Sequence, residues 1–186
     1  PAGSGPAANI APYGIAGFAA DFALHDSRFP QSPDRTGLKL YNLLENPRAM
    51  IDNFMVAANE VGMHSRLMAN VTIDASLHPA LDAGDAADGL IRFNADRFAA
   101  MGQSMGSMIG TPTMTIPNEI DAFINAGSGG TLIEIAVTSK DPIDVAAALK
   151  GVLRLRDDED LDRYDIILNT LQHKFDFMDP YVQARH

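Results

Sequence analysis

The first 36 residues restrict most strongly what this chain can fold into. Seventeen of them are Gly, Ala or Pro, and five of the chain's eleven prolines fall among them. A segment of this composition cannot bury a core of its own and is typical of an extended arm that becomes ordered only against another surface. Ile15, Phe18 and Phe22 stand at helical spacing, which predicts a short apolar helix over 14–26. We therefore divide the chain into an N-terminal arm, 1–36, and a domain, 37–186.

The composition of the whole chain fits one folded domain plus that arm. The 186 residues are 46% hydrophobic, enough to bury a core. The absence of cysteine excludes disulfides, thiolate metal ligands and a thiol nucleophile. A net charge of -10 argues against nonspecific binding to nucleic acid or anionic membranes. We expect a soluble protein without a transmembrane helix or a retained leader peptide, and the sequence assigns no compartment.

Proline and glycine mark the element boundaries after residue 37. Asn46-Pro47 predicts a helix start and Gly62 its end, while the alternating pattern of 66–76 predicts a strand. The pattern predicts an α+β domain with about five helices and a small sheet, in which a parallel crossover over 131–156 and an antiparallel arrangement both stay open. The other predicted elements are a loop over 78–89, helices over 94–109, 117–126, 141–150 and 159–175, and strands over 131–139 and 152–156.

The sequence contains two groups of closely spaced glycines. Gly102 and Gly106 on the predicted helix 94–109, with Gly110 directly after it, repeat at four-residue spacing. This spacing indicates a face that another helix approaches closely. The run 127–130 (Gly-Ser-Gly-Gly) is interpreted as a helix end and turn. A phosphate-binding loop requires a strand before the glycines and a helix after them, and the predicted order is the reverse.

No catalytic or metal-binding set is assigned from the sequence. The five histidines include no pair at the spacing that puts two imidazoles on one helical face. We expect no G-x-S-x-G pattern and no serine nucleophile, and we expect the serines mainly in turns, helix caps or the arm. The acidic cluster 157–165 is interpreted as a solvated helix start stabilised by the helix dipole, or as a latch to a basic partner. We expect no cofactor.

These observations favour a non-catalytic structural or accessory subunit that docks on other protein subunits through its arm and a Gly-rich helix face. The first alternative is a small binding module for an apolar ligand or pigment. Its pocket would be lined by Phe54, Phe98, Met101 and Met105. The second alternative is an enzyme with an unrecognised site. The predicted interface residues are Ile10, Tyr13, Ile15, Phe18, Phe22, Phe29, Gly102 and Gly106.

Overall fold

Helices dominate the fold, and two pairs of short strands accompany them. The computed structural model describes residues 5–24, 28, 46–141, 144–156 and 158–185. This is an α+β fold, as predicted. Within that part of the chain the helices are α1 (Pro6–Ile10), α2 (Pro47–Asn70), α3 (Met105–Thr113), α4 (Leu132–Thr138), α5 (Val145–Leu153), α6 (Ile166–Phe175) and α7 (Pro180–Gln183). The strands are β1 (Thr72–Asp74), β2 (Leu90–Arg92), β3 (Ala99–Gln103) and β4 (Ala122–Ala126).

Helix α2 begins as predicted but runs further than predicted. The Asn46 side chain accepts a hydrogen bond from the backbone N–H of Ala49 over 3.2 Å, which caps the helix. Gly62 does not end it, so the predicted helix end is wrong, and of the strand predicted over 66–76 only β1 is present. A glycine inside a helix costs about 1 kcal/mol relative to alanine, and packing can outweigh that cost. A Cβ on Gly62 would lie 3.6 Å from Ile116, on the segment that packs across the helix.

The strands form two separate two-stranded sheets. Strand β1 pairs antiparallel with β2, with Ile73 opposite Ile91. Strand β3 pairs parallel with β4, in a register that ends with Gln103 opposite Ala126. Helix α3 connects these two strands, so β3, α3 and β4 form a parallel crossover unit. The parallel crossover of this fold therefore lies over 99–126 and not over 131–156.

Three short predicted elements have the wrong type, and a longer one, 94–109, has the wrong type before residue 105. The predicted helix 94–109 is strand β3 followed by α3, and the predicted helix 117–126 contains β4. The predicted strand 131–139 is helix α4, and the predicted strand 152–156 includes the end of α5. Short apolar runs fit either type, and their tertiary surroundings decide between them. In α4 the neighbouring residues Leu132 and Ile133 pack into two different clusters of buried side chains. Neighbouring residues of a strand also face opposite sides, so this packing is compatible with either type of element.

The core consists of two clusters of buried apolar side chains. The larger cluster joins α2, α3, α4 and the end of α6, and the smaller one joins α4, α5 and α6. Leu171 on α6 packs against both. The buried members of the larger cluster are Met50, Phe54, Ala57, Ala58, Met108, Ile109, Leu132, Phe175 and Met178, and those of the smaller are Ile133, Leu149, Leu161 and Leu168.

The described part of the arm lies against α2 but lacks the predicted helix. After α1, a single 3₁₀ turn (Ala11–Tyr13) ends at Gly14, whose φ of 73° lies in the left-handed region that glycine adopts readily. Residues 15–24 then contain no helix, so the prediction over 14–26 is wrong there, and 25–26 lie outside the described residues. Phe22 packs against the larger core cluster, and the Phe18 ring meets the His64 ring edge-on at 5.4 Å.

Within the described ranges, no helix has the length and apolar character needed to cross a membrane.

Candidate functional site

Ser104 occupies the turn between β3 and α3 in an unusual backbone conformation. Its φ is 54° and its ψ is -117°, a left-handed region in which residues other than glycine are uncommon. Holding a side chain-bearing residue there costs about 1–3 kcal/mol, and such residues cluster at functional sites. The Ser104 side chain is exposed. The turn therefore presents a hydroxyl group to solvent from a strained backbone position.

Gly102 makes this turn possible. It is the buried fourth residue of β3, two positions before Ser104. A Cβ at this position would overlap the carbonyl group of Gly106 and lie 2.6 Å from the backbone nitrogen of Ser107. Strand β3 therefore passes directly under the first turn of α3, and any larger residue would push the two apart. A Cβ on Gly106 would meet nothing within 4 Å.

Backbone hydrogen bonds fix Ser104 between the strand and the helix. Its N–H donates to the carbonyl oxygen of Ala126, at the end of β4, over 2.8 Å. Its own carbonyl oxygen accepts from the N–H groups of Ser107 and Met108, over 3.0 and 3.1 Å. The Ser104 hydroxyl does not cap the helix that it precedes. As the first two residues of α3, Met105 and Gly106 have N–H groups without an intrahelical acceptor.

Sequence reasoning missed Ser104, although a signal was available. Residues 102–106 read Gly-Gln-Ser-Met-Gly, which is the pattern G-x-S-x-G. In that pattern the serine sits on a sharp turn from a strand into a helix, and the glycines allow the close approach of the two elements. The expectation that the chain lacks this pattern is therefore wrong. With 94–109 interpreted as one helix, Gly102 and Gly106 were expected to share a face. In the structure Gly102 lies on β3 and Gly106 on α3.

No protein-family model, curated protein or solved structure matches this chain.

The glycine run 127–130 lies beside Ser104, because β3 and β4 are parallel and end side by side. It is a loop between strand β4 and helix α4, so the predicted helix end and the expected order of elements around it are wrong. The observed order would suit a phosphate loop, but the first N–H groups of α4 are already occupied. The Leu132 N–H donates to Asp179 Oδ2 over 2.6 Å, and the Ile133 N–H to Gln172 Oε1 over 3.0 Å.

Asp179 anchors this glycine run to the end of the chain. Its side chain is fully buried at the start of α7. Besides the Leu132 N–H, it accepts hydrogen bonds from Gln172 Nε2 and from the Tyr181 N–H, each over 2.8 Å. These partners satisfy a carboxylate that would otherwise be costly to bury. The loop next to Ser104 is thereby fixed by residues from α6 and α7.

The predicted interface residues are not brought together on one surface of the described chain. Tyr13, Ile15 and Phe18 are exposed by 81%, 53% and 52%. Ile10 is half-buried and Phe22 joins the core, whereas Phe29 lies outside the described residues. Gly102 is already in close contact with its own chain.

The predicted ligand-pocket residues are also dispersed. Phe54 is fully buried in the larger core cluster, and Met105 packs against that cluster. Met101 is 54% exposed on β3, and Phe98 precedes that strand. Phe98 and Met101 therefore do not share a helix with Met105, as the predicted helix 94–109 would require. Among the described residues, no group of histidine and carboxylate side chains is arranged to hold a metal ion.

Proposed function

We propose that this protein is a serine hydrolase that cleaves carboxylic esters or related acyl compounds, with Ser104 as the nucleophile. The observation that carries the proposal is the conformation of Ser104, with φ 54° and ψ -117°, inside G-x-S-x-G at a strand–turn–helix junction. By analogy, this is the arrangement of the nucleophile elbow in α/β-hydrolases. The parallel pairing of β3 with β4 supports the analogy, because such elbows stand at the carboxyl edge of a parallel sheet.

The geometry suits covalent acyl transfer. The Ser104 oxygen would attack the carbonyl carbon of the substrate while its proton passes to a general base. The alcohol would then leave with a proton, and water would release the acid and restore the serine. The N–H groups of Met105 and Gly106, free of intrahelical acceptors, could stabilise negative charge on the carbonyl oxygen.

The general base is not assigned. Within the described ranges no base is hydrogen-bonded to the Ser104 hydroxyl. Histidine performs this role most often, so each of the five histidines is a candidate for replacement by glutamine. The variant that loses reactivity while keeping its fold would identify the base.

The test is labelling with a fluorophosphonate, which phosphonylates activated serines, followed by peptide mass spectrometry. We expect one adduct, on Ser104, and no adduct in Ser104→Ala. Ser128→Ala, in the neighbouring glycine run, is the matched control and should label like the wild type. An adduct on another serine, or no adduct at all, would refute Ser104 as the nucleophile. The expectation of a non-catalytic protein stays a prediction that this experiment decides.

We propose assembly with other protein subunits as a second function of the arm. Three exposed apolar side chains support it: Tyr13, Ile15 and Phe18. They leave apolar surface in contact with water, which docking on another subunit would bury. Light scattering of the native particle tests this: a mass many times 19.9 kDa would support it, and a clean monomer would refute it. The apolar-ligand alternative stays a prediction.

A further inference from the structure

We propose that Ser107 is a positioning residue that holds the Ser104 turn in its reactive conformation. Its side chain is fully buried on α3, one turn beyond Ser104. Its hydroxyl lies 2.8 Å from the carbonyl oxygen of Ser104 and 3.1 Å from that of Ala126. The inference rests on the proposed role of Ser104 as the nucleophile.

The three residues form a closed set of hydrogen bonds. The Ser104 N–H donates to the Ala126 carbonyl oxygen, and the Ser107 N–H donates to the Ser104 carbonyl oxygen. The single proton of the Ser107 hydroxyl is shared between these same two carbonyl oxygens. Both peptide groups of the strained residue are thus tied to groups that belong to α3 and β4. We call this set the Ser107 clamp.

The Ser107 clamp holds the backbone at Ser104, the residue whose strained conformation would otherwise relax. Strained conformations persist only where the surrounding structure determines them. Without the Ser107 hydroxyl, one contact to the Ser104 carbonyl and one between α3 and β4 would be lost. The Ser104 oxygen would then sample a wider range of positions, and a displacement of about 1 Å at a reacting group can lower a rate by about a hundredfold.

A second buried hydroxyl on the same helix provides the control. The Thr113 side chain is also fully buried, and its hydroxyl donates to the Ile109 carbonyl oxygen over 2.9 Å. Ser107→Ala and Thr113→Val each remove one buried hydroxyl from α3 with little change in side-chain size. Only Ser107→Ala removes a contact to Ser104. If a buried hydroxyl matters only for the stability of α3, the two variants should behave alike.

The first experiment measures fluorophosphonate labelling of Ser104 as a function of probe concentration, well below the melting temperature. For Ser107→Ala we expect the maximal labelling rate to fall by about tenfold or more, with the half-saturating probe concentration unchanged. Thr113→Val should keep both quantities within about twofold of the wild type. If the wild type labels on Ser104 and Ser107→Ala labels equally fast, the clamp is refuted while the proposed function stands.

The second experiment does not depend on reactivity. Amide hydrogen exchange at the Ser104 N–H, followed by NMR, reports on its hydrogen bond to Ala126. We expect this exchange to be about tenfold faster in Ser107→Ala than in Thr113→Val. Equal exchange in the two variants would overturn the inference. Absence of labelling in the wild type would refute the proposed function, and the exchange measurement would still decide whether Ser107 holds the turn.

Discussion

The carbonyl oxygen of Ala126 accepts the backbone N–H of Ser104 over 2.8 Å, which joins the end of β4 to the turn that follows β3. Because the two strands are parallel, their carboxyl ends lie at the same edge of the sheet. The bond therefore places Ser104 beside the glycine run 127–130, although more than twenty residues separate them in sequence. The candidate site is built from these two adjacent chain segments.

The two glycines of the pattern are predicted to respond oppositely to alanine. Gly102→Ala places a Cβ against the backbone of Gly106 and Ser107, which cannot move without separating β3 from α3. We expect a loss of about 3 kcal/mol or more in the free energy of unfolding. Gly106→Ala meets open space inside a helix and should raise stability by up to about 1 kcal/mol. Urea denaturation measures both. Equal losses would contradict the described packing of β3 under α3.

Removal of the buried Asp179 carboxylate should destabilise the fold strongly. Asp179→Ala leaves the Leu132 and Tyr181 N–H groups and the Gln172 amide without their acceptor. We expect a loss of about 3–5 kcal/mol, measured by urea denaturation. The control is Asp165→Ala, which removes a half-buried cap from α6 and should cost about 1 kcal/mol. If both variants lost the same free energy of unfolding, the burial of Asp179 would add nothing to its contribution to stability.

Asp88 should titrate at unusually low pH. The Arg92 guanidinium, which donates to both carboxylate oxygens, and the Leu90 N–H lower the pKa of Asp88 from 3.8 to about 2. A lowered pKa means that this contribution to stability is present above pH 3.8 and is lost as the pH falls toward 2. NMR titration of the Asp88 carboxyl carbon should give a midpoint near 2.

The matched variant for this titration is Arg92→Gln, which should move the midpoint back toward 3.8. Arg97→Gln removes another arginine further along the chain and leaves the Arg92 contact intact, so it should not move the midpoint. If the midpoint in Arg92→Gln stayed near 2, the ion pair with Arg92 could not be the main cause.

Two aromatic residues of the arm should differ in their contribution to stability. Phe22 packs against the larger core cluster, so Phe22→Ala should lower the free energy of unfolding by roughly 1–3 kcal/mol. Tyr13 is 81% exposed, and Tyr13→Ala should leave it within about 0.5 kcal/mol of the wild type. Thermal or urea unfolding of the two variants measures this difference in stability. No effect from Phe22→Ala would show that the arm contributes nothing to the core.

The sequence alone determined the features that depend on local chemistry. The class α+β and the helix start at Asn46-Pro47 follow from the apolar content and from residues whose backbone preferences are strong. The pattern Gly-Gln-Ser-Met-Gly can also be read directly from residues 102–106.

The tertiary structure alone decided the type of the short apolar segments and the position of the site. Residues 99–103 and 122–126 became strands because they pair with each other beneath α3, and 132–138 became a helix against two core clusters. No local pattern encodes such contacts, since a run of five to seven apolar residues fits a strand or a helix equally well. The strained turn at Ser104 likewise depends on partners far along the chain, above all the Ala126 carbonyl that accepts its N–H.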